Sequence, residues 1–278
     1  MKKGTTVLTR ARRARIAALA GARLAKIGLL AGVGASGGVL LPICACLAGS
    51  ADAAQSAGLQ VSLHPERPGA STTLAFGFQI EDPEAALPPA LTRLDVRLPA
   101  GMGVDTSGLA TCPEAKLEHG PRGCSANSRV GSGSVKVQVP LGTVTRPEIA
   151  ALTVFNGPRK GGDTTLLFYA AGRLPIATQL IFAGVIVPGP RGVSIEASIP
   201  LIPTLPNTPD AAIVEMKANL GTRSQTYFRM SGGRRVRFTP KGATLPGRCP
   251  VGGFPFSATF GFNDGSSASA AAAVGCPG

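Results

Sequence analysis

From residue 59 onward, large apolar residues alternate with small or polar ones, and this period of two constrains the fold more than any other feature of the chain. Leu74, Phe76, Phe78 and Ile80 interleave with Ala75, Gly77 and Gln79, and Leu94, Val96 and Leu98 interleave with Asp95 and Arg97. Successive side chains of a strand point to opposite faces, so each run predicts a strand with one buried and one wet face. The period recurs at Val135, Val137 and Val139, at Val193, Ile195, Ala197 and Ile199, at Val214, Met216 and Ala218, and at Phe254, Phe256, Ala258, Phe260 and Phe262. Alternation held this often predicts antiparallel sheet. Residues 166–171 and 180–187 are apolar throughout and suit central strands covered on both faces.

Turn chemistry agrees. Asn156-Gly157-Pro158, Gly161-Gly162, Pro188-Gly189-Pro190, Gly232-Gly233 and Asp264-Gly265 each separate two apolar runs, as hairpin turns do. The 37 Gly and 24 Pro exclude an ordinary helical enzyme, while 44% hydrophobic residues still allow a packed core. Helix is expected only as a turn or two in residues 81–89 and 113–119. The prediction is an all-β fold, an antiparallel β-sandwich of about a dozen short strands, stapled by disulfides. It occupies residues 54–278 as one domain or as two packed halves, 54–140 and 141–278. The Ala/Ser stretch at residues 266–274 is either a flat edge strand or a frayed tail held by Cys276.

Residues 1–53 read as an export signal. Lys2, Lys3, Arg10, Arg12, Arg13, Arg15, Arg23 and Lys26 precede an apolar stretch at residues 27–48, and Ala51-Asp52-Ala53 supplies a small-x-small cleavage pattern. Five glycines and Pro42 dilute the stretch at residues 28–42, which favours a cleaved signal over a membrane anchor. Arg12-Arg13 is followed by Ala14-Arg15-Ile16, a poor twin-arginine context, so general secretion is the expected route. Neither Leu41-Pro42-Ile43-Cys44 nor Ile43-Cys44-Ala45-Cys46 matches the run that a lipoprotein signal places at its Cys. The formal charge of +13 then falls to +6 in the mature chain, with 20 basic and 14 acidic residues, and much of the basicity belongs to targeting.

Four cysteines survive cleavage, Cys112, Cys124, Cys249 and Cys276. In an exported chain an even number predicts disulfides, and of three possible connectivities the local one, Cys112 with Cys124 and Cys249 with Cys276, is preferred. No C-x-x-C occurs, and His64 and His119 lack the spacing of paired zinc ligands, so no metal and no cofactor is assigned.

Pro99-Ala100-Gly101, Thr111-Cys112-Pro113 and Cys124-Ser125-Ala126-Asn127-Ser128-Arg129-Val130-Gly131, followed by Ile199-Pro200-Leu201-Ile202-Pro203 and Arg248-Cys249-Pro250, resemble the motifs of exported β-rich proteins common in soil actinobacteria. The resemblance covers about residues 90–278. It implies a Cys-bounded segment followed by a β-sandwich-like domain that ends in a cysteine and a hydrophobic strand, and it implies no activity.

Catalytic readings are thin. The one Gly-x-Ser-x-Gly, residues 34–38, falls inside the export signal and would be lost on cleavage. His64 and His119 read as exposed loop residues. Glu81, Asp82 and Glu84 cluster beyond a strand, but without Trp, and with only Tyr169 and Tyr227, the chain lacks the aromatic platform of a glycosidase, and the cluster reads as a solvated turn.

Charge segregation is the strongest non-random feature. Residues 216–263 hold Lys217, Arg223, Arg229, Arg234, Arg235, Arg237, Lys241 and Arg248 and no carboxylate, leaving the rest of the mature chain near neutral. The hairpin within this segment is expected to turn through Ser231, Gly232 and Gly233, pairing Phe228 with Val236 and Arg229 with Arg235. Tyr227, Arg229, Arg235 and Arg237 would then share an outer, anion-binding face above an apolar one. The expectation is a secreted, non-catalytic binding or structural module of the cell surface, its hairpin binding an anionic wall polymer. Nucleic acid and, after signal cleavage, membrane are not expected partners. The alternative is a secreted hydrolase that joins His64 or His119 to carboxylates in a cleft.

Overall fold

The computed structural model describes residues 55–83, 87–189, 192–223 and 225–277, so residues 1–53, expected from the sequence to be an export signal, and Glu84 lie outside the described residues. The alternating runs become strands. In chain order they are β1 (Ser56–His64), β2 (Ser71–Glu81), β3 (Leu91–Arg97), β4 (Gly103–Asp105), β5 (Arg129–Leu141), β6 (Val144–Asn156), β7 (Thr164–Ala171), β8 (Gln179–Gly189), β9 (Gly192–Ser198), β10 (Ala212–Leu220), β11 (Tyr227–Ser231), β12 (Arg234–Phe238), β13 (Gly242–Thr244), β14 (Phe254–Phe262) and β15 (Ser267–Val274). The Ala/Ser stretch is thus a strand, paired with β14 along its length. One short helix, α1 (Glu114–Leu117), forms where a helical turn was expected. Around residues 84–86, Asp82, Pro83 and residues 87–89 are not helical.

Thirteen strands form one antiparallel sheet in the order β15-β14-β3-β9-β8-β7-β6-β5-β10-β2-β13-β4, with β1 also paired to β2. β15 lies beside β1, and Ser266 Oγ donates to Gln55 Oε1 at 2.9 Å across this seam, so the sheet wraps round upon itself. Its two walls enclose the core. Leu74 and Phe76 of β2 and Met216 and Ala218 of β10 face Leu94 and Val96 of β3 and Phe182 of β8 around a residual cavity of about 30 Å³. Phe78 of β2 meets Phe260 of β14 edge-on, ring centroids 5.0 Å apart. Strands from residues 54–140 and 141–278 interleave, since β10 stands between β5 and β2 and β3 between β9 and β14.

β7 is buried on both faces, as expected, whereas β8, also expected to be covered on both, alternates between buried and half-buried residues. Leu166, Phe168 and Ala170 enter the main core, while Leu167 and Tyr169 face outward beneath the segment closed by the Cys112–Cys124 disulfide. There Cys112 and Leu117 of that segment join Phe155, Leu167 and Tyr169 in a second, smaller core. The other disulfide, Cys249–Cys276, ties the loop before β14 to the chain just after β15, with Cα atoms 6.2 Å apart. Both pairings are the local ones expected from the sequence.

Candidate functional site

β11 and β12 form a separate two-stranded ribbon. Its register corrects the sequence expectation: Tyr227 pairs with Phe238, Phe228 with Arg237, Arg229 with Val236, Met230 with Arg235 and Ser231 with Arg234. The turn therefore holds two residues, Gly232 and Gly233, with φ of 55° and 75°. Positive φ at both positions is what a type I′ turn demands and only glycine adopts without strain, and the turn's twist matches that of the strands. The expected three-residue loop would keep apolar side chains on one face. That requirement holds for a strand with one buried face, and the ribbon stands outside the main sheet, so Phe228 and Met230 share a face with Arg235 and Arg237.

Tyr227 is likewise not on an anion-binding face. It is 1% exposed at the base of the ribbon, its ring edge-on to Phe238 and its hydroxyl donating to the Arg129 carbonyl at 2.8 Å. Burial pushes its pKa from 10.0 up to about 12. Above pH 10 the unfolded tyrosine loses its proton while the folded one keeps it, so the contribution of Tyr227 to stability is constant below pH 10 and falls as pH rises toward 12. The loss should be about 3 kcal/mol, read as a falling denaturation midpoint. Tyr227→Phe should remove this slope and cost about 1 kcal/mol at neutral pH for the lost hydrogen bond.

Asn127, part of the Cys124–Gly131 motif but with no role readable from the sequence, fixes the other contact. Its side-chain oxygen accepts from the Phe228 N–H at 3.2 Å and its amide nitrogen donates to the Phe228 carbonyl, so one side chain satisfies both outward main-chain groups. Asn127 lies in a 3₁₀ turn, residues 126–128, that follows Cys124. Ser125 Oγ accepts from the Asn127 N–H at 3.3 Å, and Ser128 Oγ donates to the Ser125 carbonyl at 2.6 Å. The ribbon thus has a fixed base and an exposed tip.

The eight cations of residues 216–263 are not equivalent. Lys217 forms an ion pair with Glu215. Arg223 donates to the Ser71 carbonyl at 2.9 Å. Lys241 lies near Asp105, whose carboxyl is held below its ordinary range mainly by hydrogen bonds from Ser107, with a smaller contribution from Lys241. Arg229, Arg234, Arg235 and Arg237 are exposed on the ribbon, and among the described residues none has an ion-pair partner. Arg235 stacks on Phe228, 3.9 Å from the ring centroid, and Arg229 lies 5.7 Å from that of Phe238. Each such contact contributes about 0.5–1 kcal/mol and orders a guanidinium without neutralising it.

The hydrolase residues are scattered. His64 ends β1 and His119 follows α1, and both are exposed. A surface cleft of about 310 Å³ holds Asp95 and Glu196, which stand directly opposite each other on β3 and β9. Another of about 380 Å³ holds Glu81, Asp82 and Glu215 with Lys136. Neither contains a histidine. Among the described residues no three His, Cys, Asp or Glu side chains are grouped to hold a metal ion, and no helix is long and apolar enough to cross a membrane.

Compared with known protein families, curated proteins and solved structures, the chain shows no match. What can be read of its function therefore rests on the fold and on the ribbon.

Proposed function

We propose that this chain is a secreted, non-catalytic binding module of the cell surface, and that its β11–β12 ribbon holds a phosphate- or carboxylate-bearing polymer. The observation that carries the reading is the set of four ribbon arginines, exposed and without a carboxylate partner among the described residues, on a base held by Asn127 and Tyr227. Guanidinium groups suit such a ligand because their planar donors match a carboxylate or phosphate two bonds at a time. Fixing the base lowers the ordering cost of binding. The two disulfides fit an oxidising compartment.

The test is retention on a phosphate-bearing resin and on isolated wall polymer as salt is raised. Wild type should bind at low ionic strength and elute as the screening length shrinks to about 8 Å near physiological salt. Arg235→Glu with Arg237→Glu should stay folded, losing no more than about 0.5–1 kcal/mol from the Arg235–Phe228 stack because both side chains are exposed, and should no longer be retained. Wild-type retention that is indifferent to salt would remove the basis of the reading.

A further inference from the structure

The two long edges of the ribbon differ. In an antiparallel pair, residues alternate between those that bond across to the partner strand and those that turn N–H and C=O outward. The two-residue turn makes Ser231–Arg234, Arg229–Val236 and Tyr227–Phe238 the bonded pairs, so Phe228, Met230, Arg235 and Arg237 point their main-chain groups outward. The Phe228 bonds to Asn127 agree with this assignment. On the β12 side, Arg235 and Arg237 have no main-chain partner among the described residues. That edge presents two N–H and two C=O groups at strand spacing.

Side chains set what can pair there. Arg235 and Arg237 project from one face, and Val236 and Phe238, both half-buried, from the other. Charge on an edge strand ordinarily blocks pairing with a second copy of the same strand, because like would meet like. The same row favours a strand of opposite sign, since directly opposed unlike charges stabilise an antiparallel pair.

We propose that the free edge of β12 takes up an extended acidic polypeptide as a third strand. The proposal rests on the reading of the ribbon as the binding element and names the anionic polymer as a polypeptide. The added chain lies about 4.8 Å from β12 and bonds to the main chain of Arg235 and Arg237. Its carboxylates, at every second residue, oppose Arg235 and Arg237. Apolar residues between them oppose Val236.

Three probes against the intact protein test this: a peptide of alternating Glu and Val, the same peptide N-methylated on the nitrogens that would face β12, and inorganic polyphosphate. N-methylation removes the main-chain donors and leaves the charge unchanged. The alternating peptide should bind, its N-methylated form at least tenfold more weakly. The Arg235 and Arg237 amides should become protected from hydrogen exchange in its complex. Arg235→Glu with Arg237→Glu should abolish binding of the peptide. Equal affinity for the two peptides, or binding of polyphosphate alone, would overturn strand addition and leave the ribbon as a purely electrostatic site. Failure of the peptides and polyphosphate alike would overturn both this proposal and the reading beneath it.

Discussion

Phe260→Ala is expected to destabilise the protein by about 3–5 kcal/mol, a large share of the total stability of a domain. Phe260 is 0% exposed, lies in the middle of β14 and meets Phe78 of β2 edge-on. β14 and β2 are not neighbours in the sheet order, so this contact joins the two walls across the core. Truncation removes the ring, its packing on Phe78 and the filling of a site already close-packed. Chemical denaturation should show the midpoint falling with little change in slope. Phe260→Leu, which refills most of the volume, should recover more than half of the loss.

The second large effect is expected from opening the Cys112–Cys124 disulfide with paired Ser substitutions. The bridge closes a segment with a sequence separation of 12, worth about 3 kcal/mol in the chain-entropy description. The loss should reach further than the segment. The second core over Leu167 and Tyr169 would lose its cover, and the turn that carries Asn127, three residues beyond Cys124, would lose its tether. Thermal unfolding should report the stability change. Hydrogen exchange should accelerate at the Phe228 amide, while the amides of β2 and β10 exchange as before.

Much of the strand pattern was legible because it follows from local chemistry. Wherever an apolar period of two met a core, as in β2 and β14, the strand and its buried face followed from the residues. The disulfides were legible because each closes its own segment. The ribbon's register was not. Its apolar residues offered a burial argument that does not apply to a strand pair outside the sheet, whereas the Gly232-Gly233 pair carried the correct turn. Tyr227, which that register would put on the outer face, is buried at the base of the ribbon instead. Asn127 was invisible for another reason: its bonds to Phe228 join residues 101 positions apart and use a side-chain amide in the manner of a neighbouring strand, leaving no trace in either local pattern. The closure of β15 against β1 is equally non-local.

The interleaved strand order sets a timetable for folding. β1 needs β15 at its side, β3 needs β14, and β2 needs β10, yet the first three precede residue 98 and their partners follow residue 211. A chain made from its N-terminus can pair β1 with β2 and run β5 to β9 as successive hairpins, but the remaining neighbours of β1, β2 and β3 come last. Pairings this distant in sequence also make closure slow. Until residue 274 is available the sheet therefore cannot close, and its core is completed only by the C-terminal strands.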